Sequence, residues 1–141
     1  MTNPIEPSFA PVKRDGEIQT GGQPDDHGQV TVIIPTSYYD ADWETTLRKV
    51  IKEWGGYFQL EGYHSSRRLI AKVHPNHLLN DPGVPAVVKE IEMLIDATNS
   101  HFVADVMPRR RADYQNQMTA KLAADELQAQ MKKAVDDFNN G

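Results

Sequence analysis

The stretch His101-Phe-Val-Ala-Asp-Val-Met107 decides how this chain of 141 residues is expected to fold. It follows Asn99-Ser100 and ends at Pro108. Phe102, Ala104 and Val106 alternate with His101, Val103, Asp105 and Met107, a period of two that predicts a strand with one inward face. The competing reading extends the preceding helix through Val106, with Ala97, Phe102 and Val106 on one stripe. Asn-Ser favours the strand, because these side chains compete for backbone hydrogen bonds and suit a turn better than a helix interior.

Working back from this stretch, Asp81-Pro82 signals a helix start, an N-cap followed by proline at the first helical position. Val84, Val87, Val88, Ile91, Leu94 and Ile95 form that helix's apolar stripe. Before it, Tyr57–Tyr63 and Arg67–Val73 read as two alternating strands around the hairpin-length connection His64-Ser65-Ser66, with Pro75 closing the second. Phe58, Leu60, Leu69, Ala71 and Val73 point to the core in this register. A helix spans roughly Asp40 to Trp54, where Trp43, Leu47, Val50, Ile51 and Trp54 share a face and Gly55-Gly56 supplies a left-handed stop. Acidic Asp40, Asp42 and Glu44 sit where the helix dipole favours negative charge. Gln29-Val-Thr-Val-Ile-Ile-Pro35 is a β-branched run of strand length ended by proline.

The order is then β-α-β-β-α-β, an α+β ferredoxin-like sandwich over residues 29–108. Its four strands lie antiparallel in the spatial order 4-1-3-2, with both helices on one face and the other face open. Residues 1–28 read as a flexible, disordered arm, since Pro4, Pro7, Pro11 and Pro24 and four glycines interrupt a segment poor in large apolar groups. Residues 109–141 read as a basic hinge, Arg109-Arg110-Arg111, followed by an extra alanine-rich C-terminal helix at 112–139. No heptad is sustained over three repeats there, so a coiled coil is not supported.

Composition narrows the function classes. The net charge is −5. Residues 1–30 carry −3, 31–111 are neutral and 112–141 carry −2. A neutral middle disfavours a strong sequence-independent nucleic-acid binder, which needs many phosphate contacts. There is no cysteine, hence no disulfide, thiolate zinc site or cysteine nucleophile. No run of about 18 apolar residues exists, so no membrane partner is expected. The N-terminus lacks a basic and then apolar leader, and a cytoplasmic protein is expected.

Catalytic motifs are scarce. His74-Pro75-Asn76-His77, with His64 at the hairpin, admits a three-histidine metal site only if the loops fold together, and the intervening proline prevents helical presentation of the pair. Ser65 and Ser66 lack the strand-turn-helix elbow of a nucleophile. Asp25-Asp26 and Asp136-Asp137 lie in segments expected to be too mobile for acid/base work. Gly21-Gly22 is followed by no lysine or helix start, so it is no phosphate loop. No cofactor is implied.

The open sheet face carries the leading expectation. Ile33, Ile70, Val103 and Met107 would form an apolar strip across it, of the kind that marks a contact surface. With Leu127 and Met131 of the terminal helix, this strip predicts an accessory protein that binds another protein or itself as a homo-oligomer, without catalysis. The runner-up is nucleic-acid binding through Arg67, Arg68, Lys72 and Arg109, Arg110, Arg111, with Tyr57 and Tyr63 as stacking surfaces. The tyrosines fall on an edge strand instead of the two central ones, which weakens that reading. An enzyme or small-ligand site lined by His64, His74 and His77 comes third.

Overall fold

The computed structural model describes residues 3–141. Met1 and Thr2, the first residues of the expected arm, lie outside the described residues. The elements in chain order are β1 (Gln19–Gly21), β2 (Val30–Pro35), α1 (Ala41–Trp54), β3 (Gln59–Tyr63), β4 (Arg68–Val73), α2 (Pro75–Leu79), α3 (Val84–His101) and α4 (Met107–Asn140), with a π-helical turn at Phe102–Val106. The chain divides into two compact units. One comprises residues 10–104 and the other residues 3–9 with 105–141.

The first unit is a mixed α+β domain built on a four-stranded antiparallel sheet in the order β1-β2-β4-β3. The register sets Val32 opposite Ala71 and Ala71 opposite Leu60, so the inward residues of three strands meet on one face. Val32, Ile34, Leu60, Leu69, Ala71 and Val73 are all buried there. Against them α1 brings Trp43 and Leu47, and α3 brings Val87, Ile91, Leu94 and Ile95, all buried too. The alternation read from the sequence places Leu60, Leu69, Ala71 and Val73 on the correct face, whereas Val84, read into the stripe of α3, is exposed.

Local chemistry explains the ends of α1. Asp40 accepts a hydrogen bond from the Trp43 backbone N–H at 2.9 Å, satisfying one of the orphan donors of the first turn. At the other end Gly55 adopts φ 64°, the left-handed conformation that terminates helices at low steric cost. The β3–β4 hairpin closes through a 3-10 turn at His64–Ser66, with Arg67 left-handed at φ 50°.

Three expectations are corrected. Residues 101–107 are helical and no strand lies there. The reason is Asn99, whose side chain does not compete with its own helix: it bonds the Trp43 indole and the Val12 backbone. Thr98 meanwhile returns its hydroxyl to Leu94 O at 2.7 Å within the helix. The outer strand beside β2 is instead Gln19–Gly21, paired Gln19 to Ile33 and Gly21 to Thr31. Residues 10–28 are thus no loose arm: Val12 is buried in the core and Arg14 bridges to Thr36.

Third, Arg109-Arg110-Arg111 is no hinge, since all three lie inside α4, with Pro108 in the first turn, where proline costs no hydrogen bond. Two smaller differences concern starts and stops. His74 caps a short helix, α2, that the sequence reading passed over. The N-cap of α3 is Gly83, two residues beyond Asp81.

Candidate interaction surface

In the second unit, α4 is 34 residues long and every side chain from Leu122 to its end is exposed. Within it, Ala120, Ala124, Leu127, Met131, Ala134 and Phe138 step by four, three, four, three and four, which keeps them on one side of a 3.6-residue helix. Val135 flanks this stripe. Phe138 is 85% exposed, and Leu127, Met131 and Val135 are each more than half exposed. Large apolar groups at helical spacing and open to water are the sort of patch that serves association. Charges occupy the remaining circumference, among them the Lys121–Asp125 pair at 2.9 Å, four residues apart along the helix.

Residues 3–5 run beside this helix. Asn3, Pro4 and Ile5 with Gln117, Ala120, Lys121 and Ala124 line an open groove of about 920 Å³. Its floor is made by two alanines, small enough to admit a bulky side chain from outside. Ile5, 89% exposed, stands at its edge. The sequence reading singled out Leu127 and Met131, on a stripe that also holds Phe138, but missed the groove. The groove depends on a tertiary contact that composition does not reveal.

The other expected residues disperse. Ile33 and Ile70 are directly paired across β2 and β4 on the outward face, both half-buried. Val103 lies in the π-helical turn and Met107, 3% exposed, begins α4, so neither belongs to a sheet strip. Among the nucleic-acid candidates, Lys72 faces Asp25 at 3.6 Å, Arg67 lies over the Tyr38 ring at 5.6 Å, and Arg68 keeps its Nε buried without a hydrogen-bond partner among the described residues. Tyr57 packs on His77 with ring centroids 4.5 Å apart, whereas Tyr63 donates its hydroxyl to Glu61 at 2.8 Å. Arg109 Nε donates to Asp105 O in the π-helical turn that leads into α4.

The histidines separate as well. His74 and His77 have ring centroids 6.4 Å apart at the end of β4, while His64 precedes that strand. A strand of six residues sets its ends roughly 20 Å apart. Among the described residues no group of three or more His, Asp or Glu side chains is placed to hold a metal ion. Among the described residues no helix is long and apolar enough to cross a membrane.

A polar cluster that the sequence reading did not anticipate sits between α1 and the β3–β4 hairpin. Glu44 is buried, with its Oε2 3.0 Å from Arg48 Nη2 and 3.4 Å from His64 Nδ1, and its Oε1 accepts from His64 N. Beside it the Tyr39 hydroxyl donates to Arg68 O at 2.6 Å and accepts from Tyr63 N at 2.7 Å. Burial pushes the Tyr39 phenol up to about 12, with the Glu44 charge acting the same way and the bond from Tyr63 N opposing. These bonds pin the hairpin to α1. The four-residue spacing of Glu44 and Arg48 was the one signal of it in the sequence.

Comparison of the chain with protein-family models, with curated proteins and with solved structures finds no match.

Proposed function

We propose that this chain is a non-catalytic binding and assembly module that works through protein–protein contacts made by the apolar face of α4. The observation that carries the reading is the set Leu127, Met131, Val135 and Phe138, each more than half exposed in one helix. Isolated helices are marginal in water, and most helical stability in proteins comes from packing an amphipathic face. Fully burying one such side chain contributes about 1.5–3 kcal/mol before association costs, so a partner that covers all four stabilises the helix as it binds.

The segment 30–101 is read as a ferredoxin-like βαββα core without its last strand, a reading supported by the β2-β4-β3 order. A cytoplasmic setting is part of this reading. The nucleic-acid and loop-histidine readings draw no comparable support: Lys72 is paired with Asp25, and His64 stands apart from His74 and His77.

The test is a photo-crosslinking residue placed at position 127 or 131, and at 136 on the opposite side of α4, in living cells. Covalent protein adducts from 127 and 131 in excess of those from 136 support the reading. Adducts absent everywhere, or equal at all three positions, overturn it.

A further inference from the structure

We infer that the partner of α4 is a second copy of this chain, docked antiparallel, with Phe138 of each copy seated in the groove beside Ala120 and Ala124 of the other. This rests on the reading of α4 as an association surface and names the occupant. Three observations carry it, and each concerns self-complementarity.

The first is the stripe. An antiparallel register that sets Ala120 opposite Phe138, Ala124 opposite Ala134 and Leu127 opposite Met131 brings an apolar residue against an apolar residue at every level. It sets the bulkiest side chain against the smallest. The spacing of four and three alternating from 120 to 138 is that of two helices wound around each other, over a seam too short to hold strongly alone.

The second is charge. Asp125, Glu126, Lys132, Lys133 and Asp136 lie on the side of α4 away from the stripe, with Lys121 and Asp137 at its two margins, so docking the stripe on its own copy sets no like charges against each other.

The third is the groove. Phe138 of one copy falls level with Ala120 of the other, and Ala120 lines a concavity of about 920 Å³ whose edge is Ile5. Two-fold symmetry uses the groove twice, as an interface that pairs one patch with its own copy requires. A seam of 19 residues is about 28 Å long and covers roughly 500 Å² on each copy, at the low end of specific interfaces, so a dimer with a micromolar dissociation constant is expected.

Sedimentation velocity of the full chain, up to roughly 500 µM, reads the first outcome: the mass should rise from 15.9 kDa at high dilution to twice that. Leu127→Asp should hold the chain at the monomer mass, and Phe138→Ala should weaken the dimer at least tenfold, with helicity of the monomer as the check on folding. The natural lack of cysteine allows orientation to be read directly. Oxidation of Ala124→Cys mixed with Ala134→Cys should give the mixed disulfide far faster than either variant alone. A strict monomer at the highest concentration, or Ala124→Cys linking mainly to itself, overturns the proposal. The photo-adducts then separate the two failures. Adducts with a different protein remove the self-pairing alone, and adducts with nothing remove the association reading as well.

Discussion

Asn99 holds the indole of Trp43: its Oδ1 accepts from Trp43 Nε1 at 2.9 Å and from Val12 N at 3.0 Å, while its Nδ2 donates to Val12 O at 2.8 Å. One amide thus ties α3 to α1 and to the segment that leads into β1. Asn99→Ala should cost about 2–3 kcal/mol, because it strands the buried indole N–H and both backbone groups of Val12. Ser100→Ala, at an exposed position, should stay within about 0.5 kcal/mol of the parent. Urea unfolding followed by tryptophan fluorescence measures both.

The phenol of Tyr39 offers a pH test. Its folded value, about 12, lies above the ordinary value of 10.0, so the folded state favours the protonated form. That contribution is complete below pH 10 and is lost as pH rises toward 12. Stability should therefore fall across this alkaline window. Tyr39→Phe should show a shallower fall there, while being less stable near neutrality by about 1 kcal/mol for the lost bonds to Arg68 O and Tyr63 N. Chemical unfolding at a series of pH values is the measurement.

Gly62 tests how closely β3 approaches α1. A Cβ at this position would stand 3.2 Å from Glu44 Cγ, 3.2 Å from Tyr39 Oη and 3.3 Å from Leu47 Cδ2. Gly62→Ala should destabilise by about 1–3 kcal/mol through overpacking. Its effect should shrink in combination with Leu47→Ala, which opens space at the same contact. A double-mutant cycle of unfolding free energies reads the coupling.

Residues 101–107 should report helix in solution, with positive Cα secondary shifts through Phe102–Val106 by nuclear magnetic resonance. Phe102→Ala should cost about 3–5 kcal/mol, since its ring is buried. Val103→Ala, at an exposed position on the same turn, should cost less than about 0.5 kcal/mol. Strand-like shifts across this turn would contradict the fold described here.

What was legible in the residues was local and periodic. The caps and stripe of α1, the hairpin of β3 and β4, and the inward faces of β2, β3 and β4 all follow from side-chain alternation and from Asp40 and Gly55. Of the association surface, Leu127 and Met131 were legible as a stripe. Phe138 was visible on it, but its place beyond a groove was not, because Pro4 and Ile5 lie more than a hundred positions from Ala120 and Ala124.

Sequence by itself determined that β2, α1, β3, β4 and α3 would form, since short-range sterics and hydrophobic period set each within a few turns of chain. Tertiary structure alone decided between strand and helix at 101–107 and chose Gln19–Gly21 as the outer strand. The physical reason is the same in both cases. An ambiguous segment takes the state in which its polar groups find partners. Here Asn99 found Trp43 and Val12, and the exposed edge of β2 found the backbone of residues 19–21.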